Sequence, residues 1–202
     1  MNAHKLRDEI FSEIYKTVLK PHGFKKKGHW VVKSTLPFHW AVYLRSSRWS
    51  RTTRAVFWLD LYIYNELFDS LMYGPREFKG PAESVPGIVT EDLGRLALQQ
   101  PVTLEIDHNT DVLRLKEELV KQVSEVALPF FAQLNSLEKI VQYYTVRDIP
   151  SEAPFLAGIY ILLNRRLDAV DVIEKASTLS PNETVREWNK KILAKMLGEP
   201  SV

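Results

Sequence analysis

Apolar residues in the first twenty positions recur at helical spacing. Leu6, Ile10, Phe11, Ile14, Val18 and Leu19 share one face, so residues 5–20 are predicted as an amphipathic helix closed by Pro21 and Gly23. The period then changes from 3.6 to 2. His29 to Lys33 reads as a short strand; Phe38, Trp40, Val42 and Leu44 alternate with His39, Ala41, Tyr43 and Arg45 in a second. After a polar loop from Arg45 to Arg54, Ala55 to Tyr64 is the strongest strand. Ala55, Phe57, Leu59, Leu61 and Ile63 line one face, while Val56, Trp58 and Tyr62 share the other with Asp60. Two largely apolar faces predict a central strand.

A short helix is expected at 66–72. Residues 73–100, with three prolines and four glycines, read as irregular, and Val102 to Ile106 as a fourth strand. Val112, Leu115, Leu119, Val123, Val126, Phe130 and Leu134 form the stripe of a long helix over 111–134, capped by Thr110 or Asp111. A further helix is expected at 136–146, and Asp148-Ile149-Pro150 reads as a boundary. The expected fold class is α+β: a small, mainly antiparallel sheet of three or four strands packed on the first and the long helix. The expected domains are 1–149 (α+β) and 150–202 (helical).

In the helical part, Leu156-Ala157, Tyr160, Ala169, Ile173, Ala176 and Pro181 resemble one tetratricopeptide hairpin, with Thr184 to Leu197 as a capping helix. Any antiparallel helix pair shares much of this pattern, and binding surfaces normally need several stacked repeats. An apolar face left on a lone hairpin is suited to cover by a second copy, so a homodimer is one expectation.

Charge changes the picture. The chain is only +2, yet Ile14 to Leu59 contains ten Lys/Arg, four of the five Trp and no Asp or Glu. Residues 60–202 carry 15 Lys/Arg against 22 Asp/Glu. Such polarity attracts anionic partners without saying which. The candidate binding residues are Lys25, Lys26, Lys27, Arg45, Arg48, Trp49, Arg51 and Arg54. Trp49 stands apart from the other tryptophans because it lies in a polar loop between arginines, the residue types that dominate interface hot spots. Three readings follow: an acidic protein partner, phosphates and bases of a nucleic acid, or a face neutralised by the chain's own acids.

Chemistry is less well signalled. There is no cysteine, which excludes thiol catalysis, disulfides and thiolate metal sites and suits a reducing cytoplasm. No glycine-rich phosphate loop, Gly-x-Ser-x-Gly or His-Glu-x-x-His motif occurs. Histidines 22, 29 and 39 have no carboxylate close in sequence, and Glu105, Asp107 and His108 fit solvated strand-end acids better than ligands. No cofactor, metal or membrane span is expected. A hydrolase or metal enzyme built from dispersed residues stays open as a further alternative.

Lys20-Pro21-His22-Gly23-Phe24-Lys25-Lys26-Lys27-Gly28, followed by Trp30 and a strand ending Leu44-Arg45-Ser46-Ser47, resembles the opening of a bacterial family known as domain of unknown function 4304. The resemblance covers about residues 6–134 and leaves the helical tail outside. It implies a bacterial origin and an α+β fold, and no activity or catalytic residue. The turn has its own physical reason. Gly23 can close the helix with a positive φ, letting Phe24 fold back on it. The leading expectation is a non-catalytic protein-binding module, with a toxin-neutralising or accessory role as one setting, and nucleic-acid binding as the alternative.

Overall fold

The computed structural model describes residues 2–74, 87–100, 102–180 and 182–198. The fold is α+β. The chain forms two compact units: Met1–Tyr64 with Lys79–Ala132, and Asn65–Phe78 with Gln133–Val202.

The first unit opens with α1 (Ala3–Ile14), capped by the Asn2 side chain, which accepts from the Lys5 N–H. A π-helical turn (Tyr15–Leu19) and a 3-10 turn (Lys20–His22) continue it to Gly23, whose φ of 83° supplies the left-handed stop. The Phe24 N–H bonds the Leu19 carbonyl, and the Phe24 ring is buried beside Phe131.

Six strands follow: β1 (Lys25–Lys27), β2 (Trp30–Thr35), β3 (Phe38–Ser46), β4 (Ala55–Asn65), β5 (Val89–Asp92) and β6 (Leu104–Ile106). They form one antiparallel sheet in the order β1-β2-β3-β4-β5, with β6 also on β4. The expected three or four strands thus become six. β1 is hidden in sequence by its three lysines; its ladder pairs Lys25 with Val32 and Lys27 with Trp30. Residues 73–100 are not irregular throughout, since β5 and α3 (Leu93–Leu98) lie within them; residues 75–86 are outside the described set. β5 is set by β4, pairing Asp92 with Asp60 and Val89 with Ile63. β6 pairs Ala55 to Phe57 further along β4, so the central strand is flanked by β3 on one side and by two short strands end to end on the other.

Cross-strand pairing sorts the side chains into two faces. Val31 lies opposite Val42, and with Leu44, Phe57, Leu59 and Leu61 they make the buried face. On it packs the long helix, which is interrupted: α4 (Val112–Gln122, capped by Asp111), a π-helical turn (Val123–Ala127) and α5 (Leu128–Gln133). α1 packs on α4, and Phe131 stacks on Trp40 at 5.7 Å. Each large side chain buried here contributes about 1.5–3 kcal/mol through lost apolar hydration.

The second unit comprises α2 (Glu66–Tyr73), α6 (Leu137–Arg147), α7 (Ala153–Leu162), α8 (Arg166–Leu179) and α9 (Glu183–Leu197). α7 is apolar on nearly every side, and α2, α6, α8 and α9 all pack on it. Its Gly158 admits the α2 ring Phe68, because a Cβ there would sit 2.8 Å from that ring. Leu156, Ala157, Tyr160, Ala169, Ile173 and Ala176 are all buried.

Candidate binding surface

The β3–β4 loop is an ordered structure. The Ser47 N–H bonds the Val56 carbonyl at 2.8 Å, and the Ser50 hydroxyl both accepts from the Val56 N–H and donates to its carbonyl. Arg51 and Arg54 exchange backbone hydrogen bonds at 2.7 and 3.0 Å, closing a tight turn around Thr52-Thr53. The Thr52 carbonyl accepts from the Ala3 N–H, tying the tip to the start of α1. The Trp49 N–H bonds the Ser47 hydroxyl, yet its side chain is 72% exposed. The Arg48 guanidinium lies over that ring, 4.9 Å from its centroid. Arg51 is exposed as well. A large aromatic is therefore held in water by a loop tied down by several backbone hydrogen bonds.

Arg45 has a different fate. It points to the second face of the sheet, where its guanidinium meets Asp60 at 2.5 and 3.0 Å and stacks on Trp58 at 4.4 Å. The hydrogen bonds to Asp60 raise its pKa, against some desolvation. Asp92, opposite Asp60 on β5, has its pKa raised chiefly by burial, with the Asp60 charge adding to it. Backbone N–H groups at the start of α3 and Arg45 act in the other direction. The same face carries Trp30, stacked on Tyr43 at 4.2 Å and tilted to Tyr62 at 5.2 Å.

Arg54 is also engaged. It forms a bidentate pair with Glu105 on β6, at 2.5 and 2.8 Å, and this pair raises the arginine pKa and lowers that of the carboxylate. Lys26 turns inward toward α1. Its ammonium donates to the Ser12 hydroxyl at 2.7 Å and lies 5.1 Å from the Phe11 ring centre; burial lowers its pKa, with Asp8 opposing the change. Lys25 and Lys27 remain exposed on β1, the first strand of the sheet.

The eight basic-window residues thus divide. Arg48, Trp49 and Arg51 stay together at the loop; Lys25 and Lys27 lie on β1; Arg45, Arg54 and Lys26 are occupied within the chain. Asp60 and Glu105 are the residues that sequence reasoning missed as partners. Asp60 left one signal, sharing a strand face with Trp58 and Tyr62; Glu105 left none, lying 51 positions from Arg54. Among the described residues no three His, Asp or Glu side chains are grouped to hold a metal, and no helix is long and apolar enough to cross a membrane.

An α+β unit with a sheet carried on an N-terminal and an interrupted long helix is the class of protein this part of the chain defines. A family model described as a domain of unknown function, DUF4304, matches residues 15–133, and the chain belongs to that family. The match spans the lysine turn, the sheet and the long helix, and stops before α6. No curated protein matches the chain, and no solved structure does.

Proposed function

We propose that this is a non-catalytic protein-binding module whose anchor is the Arg48-Trp49-Arg51 loop, and that its partner presents an acidic surface with an apolar pocket. The supporting observation is the 72% exposure of Trp49 on a loop held by several backbone hydrogen bonds. Such a loop loses little conformational entropy on binding, and tryptophan and arginine are among the residues enriched in hot spots that fill a partner's pocket. Arg45 and Arg54 are neutralised by Asp60 and Glu105, so Arg48 and Arg51 are the loop arginines left for a partner's carboxylates. A bacterial cytoplasm, an accessory or toxin-neutralising role and a tetratricopeptide-like α7–α8 hairpin belong to this reading.

The test is co-purification from the native host at low salt, with wild type and Trp49→Ala/Arg48→Ala side by side. A stoichiometric partner that is lost from the variant, while both melt at the same temperature, is expected. A wild-type protein that is always partner-free, or a partner retained by the variant, refutes the assignment. The alternative of a nucleic-acid surface draws on the exposed Lys25 and Lys27 beside the half-exposed Trp30. It predicts steeply salt-dependent anisotropy changes of labelled RNA or DNA that flatten when these lysines are replaced.

A further inference from the structure

The outer face of α9 carries a charge pattern that its own unit leaves unanswered. Thr184, Glu187, Trp188 and Lys191 are all exposed, and their spacing of three, four and seven places them on one stripe. The opposite side of the helix is occupied, with Asn189 and Met196 buried. Trp188 is 49% exposed near the middle of the helix. Glu187 and Lys191 form no ion pair among the described residues. Acids lie in the first half of the helix (Glu183, Glu187), beside a half-buried Arg186 that donates to the Ser180 carbonyl, and lysines lie in the second half (Lys190, Lys191, Lys195).

This distribution is self-complementary under one operation. An antiparallel second α9, related by a twofold axis at the level of Asn189, sets each Glu187 against the other copy's Lys191. At 1.5 Å rise per residue the two Trp188 side chains are then offset by only about 3 Å along the helix, close enough to pack on each other. A parallel arrangement would instead oppose like charges. From the coincidence of this reciprocal charge pair with a centred tryptophan, we infer that α9 is a homodimer interface, an isologous antiparallel helix pair whose occupant is a second copy of this chain.

The experiment is sedimentation equilibrium of the full chain across a concentration series, with variants of these exposed residues. Wild type should pass from monomer to dimer as concentration rises. Trp188→Ser should weaken the dimer at least about thirtyfold, the loss expected of a central tryptophan. Glu187→Lys and Lys191→Glu alone should each weaken it about tenfold, because symmetry repeats every charge reversal. Mixing these two single variants should restore dimerisation, as should placing both changes in one chain. A monomer at every concentration up to about 0.2 mM overturns the inference. So does a dimer indifferent to Trp188→Ser, or single reversals that do not rescue one another when mixed.

Discussion

Replacing either member of the Arg45–Asp60 pair should destabilise the protein by unequal amounts. The Asp60 side chain is 7% exposed and that of Arg45 is 46% exposed. Asp60→Ala leaves a half-solvated guanidinium that still lies on Trp58, so the loss is that of two charge-assisted hydrogen bonds, about 1–2 kcal/mol. Arg45→Ala leaves a buried carboxylate beside Asp92 with its main cation gone. Breaking a fully buried pair in this way costs about 3–5 kcal/mol, and the exposure of Arg45 brings the value to the lower end, about 3 kcal/mol. Loss of the Trp58 stack adds about 0.5–1 kcal/mol. Once Asp60 is absent, removing Arg45 costs little beyond that stack. The double variant should therefore be less destabilised than Arg45→Ala alone, with a coupling of about 3 kcal/mol. Guanidinium chloride denaturation at neutral pH, with slopes compared to confirm an unchanged unfolding surface, measures all three. If Asp60→Ala costs as much as Arg45→Ala, or the two add, Arg45 is not committed to this carboxylate and should be counted among the cations available to a partner.

Other expectations concern single positions. Asp92→Asn keeps an oxygen to accept from the Arg95 N–H and removes a carboxylate whose folded pKa is raised. A raised value means that the folded state holds more protons, so wild-type stability falls as pH climbs from the ordinary 3.8 through the raised value. The variant's advantage should grow over that window and then level off; melts from about pH 3 to pH 7 check it, and a constant difference refutes it. Gly158→Ala gains about 1 kcal/mol of helix propensity but drives a methyl to 2.8 Å from the fully buried Phe68 ring, so a net loss of about 1–2 kcal/mol is expected. A raised melting temperature would contradict it. Trp49→Ala should change stability by no more than about 0.5 kcal/mol, since that side chain packs on little but Arg48.

Much of the fold is legible in the sequence wherever an element buries one side of itself. The alternation in β3 and β4 and the 3.6 period of α1, α4 and α5 are records of burial, and all five stand in the structure. β1 leaves no such record: three lysines in a row carry no period, and their strand exists because β2 supplies the backbone partners. β5 is four residues long, too short for alternation to register, and is held by its ladder to β4. The π-helical turns at Tyr15–Leu19 and Val123–Ala127 keep the apolar stripe nearly continuous, so periodicity alone reads through them.

The candidate surface divides along the same physical line. That Trp49 would stand in water was set by the chain itself, because a single aromatic flanked by Arg48, Ser50 and Arg51 has no apolar neighbour with which to form a buried stripe. Which of the ten basic residues would still be free was decided by the tertiary structure alone. Asp60 lies 15 positions from Arg45, and Glu105 lies 51 from Arg54. Ion pairing depends on a few ångströms through space and not on distance along the chain, so a window without a single acid in its sequence is part-neutralised once β3, β4 and β6 are brought side by side.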